Sequence, residues 1–196
     1  MFRLGLTGSI GTGKSATASA FRALGVPVHD ADAAVHALYR GAAAPLIEAA
    51  FPGTVIDGAV DRKALRSALD GQDDRFRTLE SIIHPLVRTE ETKALDHARK
   101  TGSRLIVLDV PLLFETGGAA RCDAVLVTTV SAGEQKRRVL ARPGMTEAVF
   151  HALVARQMPD SEKRRRAHAI LDTGHGFEAA RRDIVALLRA LAPSMV

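Results

Sequence analysis

"LGLTGSIGTGKSATASAF", Leu4 to Phe21, carries the reading of the whole chain. An apolar run ends at Thr7, a glycine-rich turn follows, and a helix-forming run begins at Lys14. Within it, Gly8-Ser9-Ile10-Gly11-Thr12-Gly13-Lys14-Ser15 satisfies GxxxxGK[ST] between a predicted strand and a predicted helix. Glycines let successive backbone N–H groups turn toward phosphate oxygens. The helix N-terminus adds its positive dipole. Lys14 has the reach for the β- and γ-phosphates, and the Ser15 hydroxyl suits Mg²⁺. The expectation is a nucleoside triphosphate bound with Mg²⁺. Gly8, Gly11, Thr12, Gly13, Lys14, Ser15 and the adjoining Ala16 form its loop, and Lys14 also acts in catalysis.

Further along, continuous apolar runs read as buried strands: Arg3–Thr7, Val26–His29, Arg104–Val110, Ala124–Thr129 and His168–Asp172. Helix-period segments separate them, so the pattern is α/β with a parallel five-stranded sheet. Ser131 and Glu134 predict a capping box after the fourth strand. Ile184, Leu187, Leu188 and Leu191 mark a helix that lies on the sheet. The stretch from about 31 to 100 shows no convincing strand. It predicts helices near Asp32–Tyr39, Pro45–Phe51, Arg62–Leu69, Arg75–Ile83 and Pro85–Lys100, with His84-Pro85 as a helix break. That is an inserted helical region rather than one crossover helix. A second, arginine-rich excursion covers 131–166.

The phosphate loop leaves a switch, a motor or a transferase. A guanine-reading NKxD segment is absent, and a nucleic-acid motor needs more than these 196 residues. A small-molecule kinase needs an acceptor region and a basic lid, and the two excursions supply both. Asp30 and Asp32 follow the second strand, where ligands of open α/β sheets bind. Asp30 reads as a helix cap. Asp32 reads as a carboxylate that takes a proton from an attacking hydroxyl or helps hold Mg²⁺ through water. Asp109 ends "IVLDVPLLFE" as a strand-end Mg²⁺ carboxylate, whereas Glu115 reads equally as a solvated loop acid. Arg138, Arg142 and Arg156 are phosphate candidates, and "KRRR", Lys163 to Arg166, reads as a solvated helix face.

Composition narrows the partners. A formal net charge of +5 favours anionic ligands. With no Trp and one Tyr there is little to stack bases on, so nucleic acid is not expected. The single cysteine, Cys122, forbids an intrachain disulfide and fits a reducing, cytoplasmic compartment. No apolar run is long enough for a membrane span. The histidines form no zinc cluster.

On these residues the chain resembles the dephospho-CoA kinase family. "LTGSIGTGKS" is similar to that family's "LTGGIGSGKS", "VHDAD" to its "VIDAD", "IIHPLVR" to its His-Pro segment and "LDVPLLFE" to its "PLLFE" signature. "RQMPDSEKRRRA" resembles its lid-end helix and "AILDTG" its last strand. The resemblance covers nearly the whole chain. It implies a three-layer P-loop kinase fold with a core (about 1–30, 101–130 and 167–196), a helical CoA-binding region (about 31–100) and a helical lid (about 131–166). It implies transfer of phosphate from ATP to the ribose 3′-hydroxyl of dephospho-CoA, the last step of CoA synthesis. Asp32 becomes the base or metal-linked carboxylate, and Arg142 and Arg138 become lid arginines. Thr7, His84 and Arg88 gain a place near dephospho-CoA. Ala16 departs from the family, which commonly has Thr there. Asp172-Thr173-Gly174 departs where many relatives carry Asn. Two other readings remain open: a nucleoside monophosphate or other metabolite kinase of this fold, and a nucleotide-dependent binding protein without chemistry.

Overall fold

A computed structural model describes residues 1–195, and side chains through 193. The backbone divides into two compact units, 1–29 with 98–196 and 30–97.

The first unit is built on a parallel sheet. Its strands are β1 (Phe2–Gly8), β2 (Val28–Asp30), β5 (Leu105–Asp109), β6 (Ala124–Thr129) and β7 (Ala169–Asp172). The remaining strands, β3 (Val55–Ile56) and β4 (Ala59–Val60), form a separate hairpin in the second unit. The order across the sheet is β2-β5-β1-β6-β7, so β1 sits at the centre. Its register runs Leu4 beside Val107 on one side and beside Ala124 on the other. The β5 and β6 side chains are buried throughout, which is why these segments read as unbroken apolar runs. Alternate residues serve opposite faces. Leu4, Leu6, Leu105, Val107, Leu126 and Leu171 pack with Phe21 of α1 (Lys14–Ala23) and Ile184 of α9 (Phe177–Leu191). Val125 and Val127 pack on the other face with Leu113. Gly5 belongs to that face, where a Cβ would come within 2.7 Å of both Cys122 Sγ and Leu113 Cδ2.

The predicted stripe on α9 holds, with Ile184 buried and Leu187, Leu188 and Leu191 against the same core. The α6 (Ala132–Leu140) start is half of the predicted capping box. Ser131 Oγ accepts from Glu134 N–H at 3.4 Å, but Glu134 turns its carboxylate to Arg137 and Arg138 instead. Two arginines hold a carboxylate better than one backbone N–H does. The segment continues through α7 (Glu147–Ala155), capped by Thr146, and α8 (Asp160–Arg166).

The second unit has its own core, with Leu38, Ile47, Phe51, Leu65, Leu69 and Ile83 buried together. Its helices are α2 (Ala31–Tyr39), α3 (Ala44–Ala50), α4 (Arg62–Leu69) and α5 (Asp73–Lys100), whose last turn reaches the first unit. Asp30 caps α2 by accepting from Ala33 N–H at 2.9 Å, as its position predicts. Asp61 caps α4 through Lys63 and Ala64.

Two expectations fail here. The region does contain strands: Val55–Ile56 (β3) pairs antiparallel with Ala59–Val60 (β4). Asp57 and Gly58 join them with φ of 51° and 76°, the backbone of a tight hairpin turn. Glu48 fixes the approach by accepting the N–H groups of Gly53, Thr54 and Val55. Two-residue strands are too short to show a period. Nor does Pro85 break the helix, since α5 runs through it. Proline removes one donor from a 28-residue helix, while Leu79, Ile82, Leu86 and Val87 on both sides of it pack against one core.

Candidate functional site

The glycine-rich loop spans the end of β1 and the start of α1. Gly13 is the N-cap of α1 in the left-handed region, with φ of 89°. Gly8 allows a close approach, because a Cβ there would meet Thr12 Oγ1 at 2.6 Å and the Thr128 carbonyl at 2.9 Å. Thr12 is buried and spends its hydroxyl on the Ser9 carbonyl (2.8 Å) and Thr128 Oγ1 (2.8 Å). The Thr12 side chain therefore holds the loop closed from behind. Ser15 and Ala16 lie exposed in the first turn of α1.

Lys14 Nζ lies 2.6 Å from Asp109 Oδ1, and the Asp109 side chain is only 3% exposed. The sheet explains the pairing. β1 and β5 are neighbours, so the residues that follow β1 and end β5 come out at the same edge. Thr7 is wholly buried and donates to the Pro111 carbonyl at 2.9 Å, tying the base of the loop to the turn after β5.

Beside the loop is a cavity of about 180 Å³, walled by Gly13, Ala16, Thr17, Ala20, Thr173 and Phe177 among others. Ala16 contributes one face, where a larger side chain would occupy the space. Arg138 lines it too, and is fixed by Thr173 Oγ1 and the Thr173 carbonyl, both at 2.9 Å, and by Glu134 at 2.7 Å. Hydrogen bonds from Arg137 and Arg138 hold the Glu134 carboxyl down at about 2. Thr173 also donates to the Thr12 carbonyl at 2.8 Å, so the turn after β7 is bonded directly to the phosphate loop. Arg142 is exposed in the turn after α6, and Arg156 is exposed at the end of α7.

Glu115 and Lys163 differ from a solvated acid and a solvated basic run. Lys163 is the one member of "KRRR" that is wholly buried, and its Nζ lies 3.0 Å from Glu115 Oε1. Glu115 also accepts from Met158 N–H at 2.8 Å. Burial pushes its carboxyl up, but the hydrogen bonds from the Met158 backbone and Lys163 bring it below its ordinary value. Arg164, Arg165 and Arg166 are exposed as expected. A run of four cations on a short helix must turn one of them inward, and the run alone does not say which.

In the second unit, Asp32 is exposed in the first turn of α2. His84 and Arg88 stand one helical turn apart on α5, both exposed. Arg62 lies over the Tyr39 ring, 5.9 Å from its centroid, and 2.7 Å from His36 Nδ1. The sequence signalled none of Thr128, Thr173, Gln135 or Gln157 as parts of the loop's surroundings. Their polar atoms reach it only through the fold. Among the described residues there is no group of three or more metal-ligating side chains, and no helix is long and apolar enough to cross a membrane.

Known proteins resemble this chain along nearly its whole length. A family model described as dephospho-CoA kinase matches residues 2–178. A dephospho-CoA kinase of Mesorhizobium japonicum is 56% identical over 191 residues, covering 97% of both chains. A solved structure from Thermus thermophilus is 34% identical, with a TM-score of 0.86 over 97% of this chain and 98% of that one. The dephospho-CoA kinase of Campylobacter jejuni has the same fold at 20% identity, with a TM-score of 0.64 over 96% of each chain. With a match that spans the phosphate loop, the sheet and both helical excursions, this chain belongs to the dephospho-CoA kinase family.

Proposed function

We propose that this protein transfers the γ-phosphoryl group of ATP to the ribose 3′-hydroxyl of dephospho-CoA, giving CoA and ADP. The observation that carries the reading is the family match across residues 2–178 of a chain whose Lys14 and Asp109 meet at the mouth of the phosphate loop. In the step, a bond forms between the 3′-oxygen and the γ-phosphorus. The bond from that phosphorus to the β–γ bridging oxygen breaks, and ADP leaves. The proton of the 3′-hydroxyl passes to Asp32.

The loop N–H groups and the α1 N-terminus bind the phosphates. Lys14 exchanges its contact with Asp109 for the β- and γ-oxygens. The largely apolar cavity beside Ala16 and Phe177 takes the adenine, with Arg138 among its lining residues. Arg142, on the 131–166 lid, stabilises charge on the transferred group, a role that positioned cations fill in phosphoryl transfer. Thr7, His84 and Arg88 serve the acceptor side, Thr7 by fixing the loop's base and the other two by contact.

The hydroxyl of Ser15 and the carboxylate of Asp109 are hard oxygen donors, which fits Mg²⁺. When bound, the ion neutralises charge on the β- and γ-phosphates. A reducing, cytoplasmic setting fits a chain whose single cysteine cannot form an intrachain disulfide. The test is ADP release with ATP and Mg²⁺ against a panel of acceptors. Turnover with dephospho-CoA and background rates with nucleoside monophosphates are expected. Turnover with a monophosphate alone would reverse the assignment.

A further inference from the structure

The two ends of the lid hold one residue of the phosphate loop, Ile10, between them. Ile10 N–H donates to Gln157 Oε1 at 3.0 Å. The Ile10 carbonyl accepts from Gln135 Nε2 at 2.8 Å. Gln135 belongs to α6, where the 131–166 segment leaves the sheet, and Gln157 lies in the turn between α7 and α8, where it returns. Neither glutamine is surrounded by loose chain. Next to Gln157, Met158 N–H is held by Glu115, which also pairs with the buried Lys163. Asp160 accepts from Thr129 at the end of β6 (2.9 Å). On the other side, α6 lies so close to the loop that a Cβ on Gly11 would come within 2.6 Å of Val139 and 3.1 Å of the Gln135 carbonyl.

We propose that Gln157 and Gln135 are positioning residues that pre-form the crown of the phosphate loop by fixing both polar groups of Ile10. The inference rests on the phosphate-loop reading given above. Six of the eight residues from Gly8 to Ser15 are glycine, serine or threonine, so the loop has little side-chain bulk of its own to hold its shape. A loop that samples other shapes binds ligand only through the fraction in the competent one, and the ligand's apparent affinity falls by that fraction. The two amides reduce that loss by supplying an acceptor and a donor from anchored backbone. They also couple the loop to both roots of the arginine-bearing lid, so that the cradle and Arg138 keep one spacing.

The variant Gln157→Leu keeps side-chain bulk and removes the acceptor. It is expected to raise the ATP Kd roughly tenfold, the equivalent of one hydrogen bond to a partly buried donor. The KM for dephospho-CoA at saturating ATP stays within about twofold on this reading. Amide exchange in a peptide covering residues 8–13 of the nucleotide-free enzyme is expected to speed up. Gln135→Leu should act in the same direction. The double variant should fall short of the product of the two single effects, because both act through Ile10. An ATP Kd and exchange rate equal to the parent's would overturn the proposal. So would equal loss for both substrates with a lowered Tm, the mark of general destabilisation. Lys14→Ala serves as the control. If it too leaves the ATP Kd unchanged, the phosphate-loop reading fails and takes the positioning role with it. If it abolishes binding while the glutamine variants do nothing, only the positioning role fails.

Discussion

Lys163 and Asp32 show how differently two charged residues behave when one is buried and the other is free. Lys163 has 0% exposed side chain and one ion-pair partner, Glu115, itself 19% exposed. Substituting Lys163 by Met leaves the Glu115 carboxylate in a poorly solvated place with two backbone N–H groups, those of Met158 and of Glu115 itself, to hold it. Loss of one partner of a buried pair costs about 3–5 kcal/mol. Lys163→Met is expected to lower unfolding free energy in urea by an amount of that order, and a shift below about 1 kcal/mol would mean that the pair is solvated. Asp32 is exposed in the first turn of α2, whose cap is Asp30. Asp32→Asn should therefore leave Tm and ATP affinity close to the parent's. As the proposed base it should cost kcat roughly 10²-fold or more. Steady-state kinetics with dephospho-CoA separate these outcomes, and an unchanged kcat removes Asp32 as proton acceptor. The sequence pointed to Asp32 through its place after a strand. It misread Lys163, because burial of one residue in a basic run is set by what packs over it.

At the scale of the element, α6 is held by a carboxylate that serves two arginines. Glu134 bonds Arg137 and Arg138, and Arg138 continues to Thr173 beside the cavity. The folded pKa of Glu134 lies at about 2, below its ordinary value of 4.5. A depressed carboxylate adds stability that is fully present above pH 4.5 and is lost as pH falls toward 2. The Tm of Glu134→Gln should therefore lie below the parent's above pH 4.5, and the gap should close as the pH approaches 2. A gap independent of pH across that window would show that the ion pairs contribute nothing. Elements were legible where their period was long. The α9 stripe, the apolar strands and the Asp30 cap could all be read from residue order. The β3–β4 hairpin was missed because four paired residues carry no periodicity, although Asp57-Gly58 is the turn signal that would have found it. The Pro85 break was misplaced because proline's local penalty was weighed without the core on either side.

For the whole molecule, the decisive fact is that each unit has a core of its own. Leu126 belongs to the sheet unit and Ile47 to the helical unit. Ile47→Ala should cost about 2–5 kcal/mol in the unit that contains it. Amide exchange is expected to rise across residues 30–97 while peptides from β6 keep their protection. Uniform loss in both regions would mean that the two cores unfold as one. The residue order by itself determined the class of fold, the phosphate loop and the order of the strands along the chain. Those follow from local chemistry: glycine's freedom, the spacing of apolar residues and the cap at Asp30. Only the tertiary structure decided which strands are neighbours, and so that Asp109 meets Lys14, that Thr173 bonds Thr12 and that Gln135 and Gln157 close on Ile10. These partners are separated in sequence by between 95 and 161 residues. No pattern within a window of residues encodes such contacts. They exist because the parallel sheet brings the ends of β1, β5, β6 and β7 to one edge.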